Sequence, residues 1–101
     1  MILIFISFEE KAHAEKVANY LIDHHLAACV SLIPVKSYYY WKGKKMSPDE
    51  VEGIVKTKEE NFAKIQKAVE ELLGYEIPQL IVVDAKLVNK KYLNWVGEQS
   101  V

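Results

Sequence analysis

The seven residues that follow Met1 constrain the fold more than any other segment. Residues 2–8 read ILIFISF, a run that is apolar except for one serine and carries no charge. A run this short and this rich in isoleucine and phenylalanine is typical of a strand buried on both faces. The rest of the chain, or another copy of it, must therefore cover such a strand on two sides.

Two helices and three further strand regions follow. Apolar residues at helical spacing predict one helix over residues 10–25 and a second over 62–73 with Gly74 as its C-cap. Strands are predicted over 26–35, with a continuation over 37–41 that turns at 42–45, then over 51–58 and 80–85. A short last helix follows Asn89, its predicted N-cap.

This order predicts an α+β fold of the split β-α-β, or ferredoxin-like, arrangement, βαββαβ with a short C-terminal helix. One domain over residues 1–101 accommodates it. Two helices cover only one face of the antiparallel sheet, yet the first and fourth strands are apolar on both. An uncovered apolar face predicts self-association.

The charge and the cysteine content limit which partners and which cellular compartment the sequence predicts. Thirteen basic residues, all of them lysine, balance fourteen acidic ones to give a net charge of −1. Without arginine or excess positive charge, we expect neither nucleic-acid nor membrane binding. Cys29 is the single cysteine, and we expect no signal peptide or membrane span, so the sequence predicts a cytoplasmic protein.

The segment Tyr38-Tyr39-Tyr40-Trp41 concentrates four aromatic side chains. Alternation along a strand sends Tyr38 and Tyr40 to one side and the other two to the opposite side. They could form a subunit interface, line a ligand pocket or stack on bases. A subunit interface is the favoured interpretation, and the balanced charge of the chain argues against stacking on nucleic-acid bases.

Candidate chemical groups are sparse. His13, His24, His25 and Cys29 are possible metal ligands, but the spacing does not converge them, and surface histidines with a core cysteine are favoured. Lys56 either faces a polar cleft or protects an edge strand.

The carboxylates Asp49, Glu50 and Glu52 suit acid–base chemistry, or they are simply solvated or pair with Lys42, Lys44 and Lys45. No catalytic triad, glycine-rich phosphate loop or CxxC motif is present, so we expect a protein that is not an enzyme.

Five motifs occur in one order: LAACVSL at 26–32, SYYYWKG at 37–43, VKT at 55–57, GYEIP at 74–78 and YLNW at 92–95. Together they resemble the CutA divalent-cation-tolerance family over essentially the whole chain. The resemblance implies a homotrimer, similar in architecture to the PII signalling proteins, that responds to copper and other divalent ions without known catalysis. It implies a trimer interface that includes Tyr38, Tyr39, Tyr40, Trp41 and Trp95. With the strand order, it also implies a candidate cleft for an unknown small ligand or protein partner, near Cys29, Trp41, Glu50, Lys56 and Tyr75.

The metal ligands that the family is thought to use are not found here. Their positions hold Ile6, Leu72 and Leu73, and the position of the following proline holds Gly74. We therefore expect no resident cofactor. Weak binding of copper or another divalent cation at other residues, direct copper or zinc sequestration, and a small enzyme with an inter-subunit cleft stay as alternatives.

Overall fold

The fold was analysed in a computed structural model that describes residues 1–101. The strands are β1 (Ile2–Phe8), β2 (Cys29–Lys36), β3 (Tyr39–Trp41), β4 (Lys44–Met46), β5 (Asp49–Thr57) and β6 (Leu80–Asp84). The helices are α1 (Lys11–Asp23), α2 (Phe62–Leu73) and α3 (Lys90–Gln99), and a 3-10 turn over Glu59–Asn61 leads into α2. All predicted helices and strands are present, and α1 begins and ends slightly inside its predicted bounds.

Four strands form the main sheet in the order β2-β5-β1-β6, and every neighbouring pair is antiparallel. This confirms the predicted ferredoxin-like fold. Lys56 lies in β5, between β2 and β1, opposite Cys29 on one side and Leu3 on the other. The alternative that Lys56 protects an edge strand is therefore wrong.

The core lies between this sheet and the two long helices. Alternate residues of β1 are at most 1% exposed, namely Ile2, Ile4, Ile6 and Phe8. They form one cluster with the buried stripes of α1 and α2, which confirms that both helices are amphipathic. Gly53 lies opposite Ile6 in the same layer, and a Cβ atom there would stand 2.8 Å from the Phe8 ring.

The two predicted caps have different outcomes. Gly74 ends α2 in the left-handed conformation, with φ of 63°, as predicted. Asn89 occupies the N-cap position of α3, but its side chain makes no capping hydrogen bond. Its backbone carbonyl accepts instead from the Leu93 N–H at 3.0 Å.

The aromatic segment forms a hairpin of its own rather than a continuation of β2. Strands β3 and β4 make a separate two-stranded sheet, which we call the aromatic hairpin (residues 39–46). Its turn is shorter than the predicted 42–45, because Lys42 and Gly43 alone connect the strands. Both have positive φ, 49° and 79°, as a two-residue hairpin turn requires.

The face of the sheet opposite α1 and α2 is partly uncovered. We call it the open face, and its apolar members are Leu3, Phe5, Ile33, Val35, Ile54, Ile81 and Val83. Ile33, Ile81 and Val83 are 44%, 53% and 45% exposed. This confirms that β1 and β6 carry apolar side chains on both faces.

Cys29 also lies on the open face, because it is paired with Lys56 and not with a core position. It is half-buried, and its Sγ lies 3.9 Å from the Ser31 Oγ. The expectation that Cys29 is a small core residue is therefore wrong.

Candidate functional site

A cleft of about 840 Å³ separates the aromatic hairpin from the body of the protein. We call it the hairpin cleft. Three aromatic residues, four carboxylates and no basic residue contribute to its lining: Tyr39, Trp41, Tyr75, Glu9, Glu50, Glu52 and Glu76. Met46 and Gln79 are also among the lining residues. The cleft therefore combines aromatic surfaces with negative charge.

The two-residue period of the strands places several of these side chains in the cleft. Tyr39 and Trp41 line it, whereas Tyr38 and Tyr40 are 68% and 75% exposed. This is the alternation predicted from the sequence. The same two-residue period in β5 brings Glu50 and Glu52 together at one end of the open face.

Glu52 lies in the most unfavourable electrostatic position of the cleft. Burial raises the pKa of its carboxyl group, and the negative charge of Glu50 raises the pKa further. A hydrogen bond from Gln79 Nε2 to Glu52 Oε1, 2.8 Å long, acts in the opposite direction. A cation that enters the cleft would relieve this repulsion.

Tyr75 joins the cleft to the beginning of α1. Its hydroxyl accepts a hydrogen bond from the Glu9 backbone N–H at 2.9 Å and lies 2.7 Å from His13 Nδ1. Burial is the main cause that raises the pKa of Tyr75; the hydrogen bond from Glu9 opposes it, and nearby glutamate charges add to it. The hydroxyl therefore keeps its proton and is able to donate to His13 Nδ1. The other ring nitrogen, His13 Nε2, lies 3.5 Å from Glu10 Oε1.

An ammonium group of the chain itself stands at the rim of the cleft. Lys42 Nζ is 3.6 Å from Glu76 Oε2 and 5.5 Å from the centre of the Trp41 ring. Asp49 pairs with Lys36 on the neighbouring strand, at 3.8 Å. Of the alternatives for the β5 carboxylates, pairing with the hairpin lysines is thus wrong, because Lys42 turns toward Glu76.

The structure brings together three of the five predicted cleft residues. Trp41, Glu50 and Tyr75 line the hairpin cleft. Cys29 and Lys56 lie opposite each other at the far end of the open face, about 20 Å from Glu50 along β5. There, Lys56 Nζ lies 5.7 Å from the centre of the Tyr92 ring on α3.

Two lining carboxylates were missed by the sequence reasoning, Glu9 and Glu76. Both lie in connecting segments, where no periodicity predicts direction. The motif GYEIP at 74–78 was a usable signal, since it places Glu76 next to Tyr75.

The positions at which the resemblance implied metal ligands are apolar and packed. Ile6 is 1% exposed, and Leu72 and Leu73 pack against the core cluster. The ring of His24 stacks on Tyr20 at 3.9 Å. No three His, Cys, Asp or Glu side chains in residues 1–101 are grouped so that they could hold a metal ion. No helix has the length and apolar character needed to cross a membrane.

The topology, the hairpin and the C-terminal helix define the class: an α+β protein with the PII-like form of the ferredoxin-like fold. The family model for the "CutA1 divalent ion tolerance protein" matches residues 2–99, and the chain belongs to this family.

Two relatives support this family membership across nearly the whole chain. The divalent-cation tolerance protein CutA of Pyrococcus horikoshii is 34% identical over 100 residues, which are 99% of this chain and 98% of that protein. CutA of Archaeoglobus fulgidus is 34% identical over 95 residues, 94% of this chain and 93% of that protein.

Solved structures agree with the fold. The crystal structure of P. horikoshii CutA1 has a TM-score of 0.95 at 33% identity and covers 100% of this chain and 99% of its own. The "PII-like protein CutA" of Nostoc sp. PCC 7120 has a TM-score of 0.92 at 28% identity, covering 100% and 98%. The A. fulgidus structure is described as periplasmic, and a rice relative, 31% identical over 98% of this chain and 56% of its own length, as chloroplastic.

Proposed function

We propose that this protein is a homotrimeric binding or signalling module, without catalytic activity, that takes part in the response to divalent metal ions such as copper. The observation that carries the proposal is the open face, where Ile33, Ile81 and Val83 stay about half exposed. An exposed apolar face of this kind is typically covered by another copy of the chain.

The aromatic hairpin supports the same assembly. Tyr38, Tyr40 and Trp95 are 68%, 75% and 41% exposed, and aromatic side chains of this size bury about 150–250 Å² each when an interface covers them. We propose that Tyr38, Tyr39, Tyr40, Trp41 and Trp95 lie in the trimer interface.

Assembly would also explain the separation of the predicted cleft residues. Cys29 and Lys56 lie on the open face of one subunit, whereas Trp41 lies on a projecting hairpin. A hairpin that reaches onto a neighbouring open face would bring the two groups together. The candidate cleft is then a site between subunits.

The compartment and the handling of metal belong to the same proposal. The unpaired Cys29 suits a reducing compartment such as the cytoplasm. A module that relays the metal response through another ligand or a partner needs no stoichiometric metal, whereas direct copper or zinc sequestration does.

Native mass spectrometry of the untagged chain, titrated with copper(II), tests assembly and sequestration together. We expect a species of three chains of 11.6 kDa each that takes up no defined number of copper ions. A monomer would overturn the trimer. One tightly held copper ion per chain would overturn the signalling role in favour of sequestration, with His13, His24 and His25 as the first ligands to replace. Turnover of phosphate or acyl esters would overturn the non-catalytic assignment.

A further inference from the structure

The charged side chains of the open face lie at its two ends. The register of β5 places Glu50 and Glu52 at one end and Lys56 at the other, with Ile54 between them. Every other position that the four strands turn to this face is uncharged. The face is therefore acidic at one end, basic at the other and mostly apolar in the middle.

The two ends cannot neutralise each other within one subunit. Glu50 and Lys56 are about 20 Å apart along β5, and strand side chains stand nearly perpendicular to the sheet, so they do not reach that far along it. None of the ion pairs in residues 1–101 includes Glu50, Glu52 or Lys56. Each of these charges therefore lacks an ionic partner in the lone subunit.

Glu50 and Lys56 need such a partner more than Glu52 does. All three side chains are half-buried, but Glu52 accepts a hydrogen bond from Gln79 Nε2 at 2.8 Å. No side chain donates a hydrogen bond to Glu50, and the ammonium group of Lys56 faces the Tyr92 ring at 5.7 Å. Further cover over either charge is costly unless an opposite charge arrives with it.

The proposed assembly brings these two ends together. A hairpin that lies on a neighbouring open face carries Trp41 toward Lys56 of that neighbour, and Trp41 lines the same cleft as Glu50. We propose that Lys56 of one subunit forms an ion pair with Glu50 of the next, so that the hairpin cleft receives its counter-ion from a second copy of the chain. The inference rests on the proposed trimer and deepens it by naming the ionic contact between subunits.

This contact suits a closed ring. Each subunit gives its Lys56 to one neighbour and its Glu50 to the other, so three identical contacts use every one of these charges. The Trp41 ring beside the pair also attracts an ammonium group. Neutralisation of Glu50 would leave burial, already the largest cause, as the main reason that the pKa of Glu52 is raised.

Carbodiimide cross-linking tests the contact directly. The reagent couples a lysine amine to a carboxylate and leaves no spacer, so it reports only groups that touch. The untagged chain is treated, separated on a denaturing gel and mapped by peptide mass spectrometry. We expect covalent dimers and trimers joined between Lys56 and Glu50. The distance of about 20 Å within one strand excludes the same linkage inside a subunit.

Two variants of β5 form a matched pair for this experiment. Glu50→Gln should abolish the linkage at Lys56, because the amide does not react. Glu52→Gln, two residues further along the same side of β5, should keep it. Circular dichroism checks that both variants are folded.

A cycle of variants measures the energetic coupling. Lys56→Met and Glu50→Gln each leave one half-buried charge without its partner, so each should lower the melting temperature by about 4–8 °C. The combined variant leaves no charge unpaired and should lose no more than the more damaging single change. Lys64→Met, on the exposed side of α2, also removes one lysine charge and should change little.

The native mass of the same samples separates the possible failures. A trimer in which Lys56 links to Glu52, or to no carboxylate, overturns this inference alone. Losses that simply add in the combined variant also overturn it, because coupled charges do not behave independently. A monomer overturns the proposed trimer, and the contact between subunits with it.

Discussion

The hydroxyl oxygen of Tyr75 lies 2.7 Å from Nδ1 of His13, which joins the segment after α2 to the first turn of α1. The same oxygen accepts the Glu9 backbone N–H at 2.9 Å. One side chain thus fixes two walls of the hairpin cleft relative to each other. Because Tyr75 is half-buried, water replaces these contacts only in part when they are lost.

Replacement of Tyr75 by phenylalanine tests this connection. Tyr75→Phe removes both hydrogen bonds and keeps the ring, so we expect the free energy of unfolding to fall by about 1 kcal/mol. Urea denaturation followed by circular dichroism measures it. Tyr38→Phe, at a position that is 68% exposed, is the control and should be neutral; equal stability of the two variants would contradict the role of the hydroxyl.

Gly53 should tolerate no side chain. A Cβ atom at this position would stand 2.8 Å from Phe8 Cε2, and Phe8 is 1% exposed and cannot move away freely. We expect Gly53→Ala to lower the free energy of unfolding by about 1–3 kcal/mol, as overpacking does.

Two further variants show whether the loss comes from this contact. Gly97→Ala, in α3 with open space around it, should be neutral or stabilising by up to about 1 kcal/mol. Gly53→Ala combined with Phe8→Leu should lose less than the two single changes added together. Strict additivity would show that the Phe8 ring is not what opposes the new methyl group.

Thr57 organises the buried polar contacts beneath the sheet. Its hydroxyl donates to the Leu26 carbonyl at 2.7 Å and accepts from Asn61 Nδ2 at 3.2 Å. Thr57→Val keeps the shape and removes one hydrogen bond from each of the Leu26 and Asn61 groups, which stay bonded to each other at 3.1 Å, so it should cost about 1 kcal/mol. Thermal unfolding measures the loss. Thr57→Ser keeps the hydroxyl and should lose less; a larger loss for serine would assign the stability to the methyl group instead.

The periodic segments could be predicted from the sequence, and the connecting segments could not. Helix α2 carries its direction in apolar spacing, which is why its buried face agrees with expectation. The continuous apolar run of β1 predicted a strand, but it could not indicate which side faces the helices. The order in which strands pair depends on tertiary contacts. The sequence could therefore not show that β5, which carries Lys56, is a central strand with β1 beside it. For the same reason Cys29, amid small apolar neighbours, could not be assigned to the open face.

The candidate site shows the same division. Alternation predicts that Tyr39 and Trp41 share a side, but the break at Ser37 depends on a distant contact, the hydrogen bond from its N–H to the Pro48 carbonyl at 3.1 Å. Lys42 pairs with Glu76 because the segment after Gly74 passes close to the aromatic hairpin. The spacing of residues along the chain predicts neither of these two contacts.

Glu52 predicts how stability depends on pH. Burial and Glu50 raise the pKa of Glu52 in the folded protein above its ordinary value of 4.5. The folded state then holds its proton more tightly than the unfolded state, so this group lowers stability as pH rises from 4.5 through the raised pKa. We expect Glu52→Gln to raise the melting temperature at pH 7, with the advantage shrinking toward pH 4. The glutamine can still accept from Gln79, so loss of that hydrogen bond does not confuse the comparison. An advantage that is the same at both pH values would contradict a charge origin.

Ile81 tests the assembly without disturbing the core. It is 53% exposed on the open face of the edge strand β6, so a lysine there costs a lone subunit little. In the proposed trimer it would bury an unpaired ammonium group in an apolar interface, which costs several kcal/mol. We expect Ile81→Lys to shift the mass in sedimentation equilibrium from trimer toward monomer, with the melting temperature falling because assembly no longer supports the fold. Ala63→Lys, on the exposed side of α2, adds the same charge away from the open face and should leave the mass unchanged. If both variants stayed trimeric, Ile81 would not lie in the subunit interface.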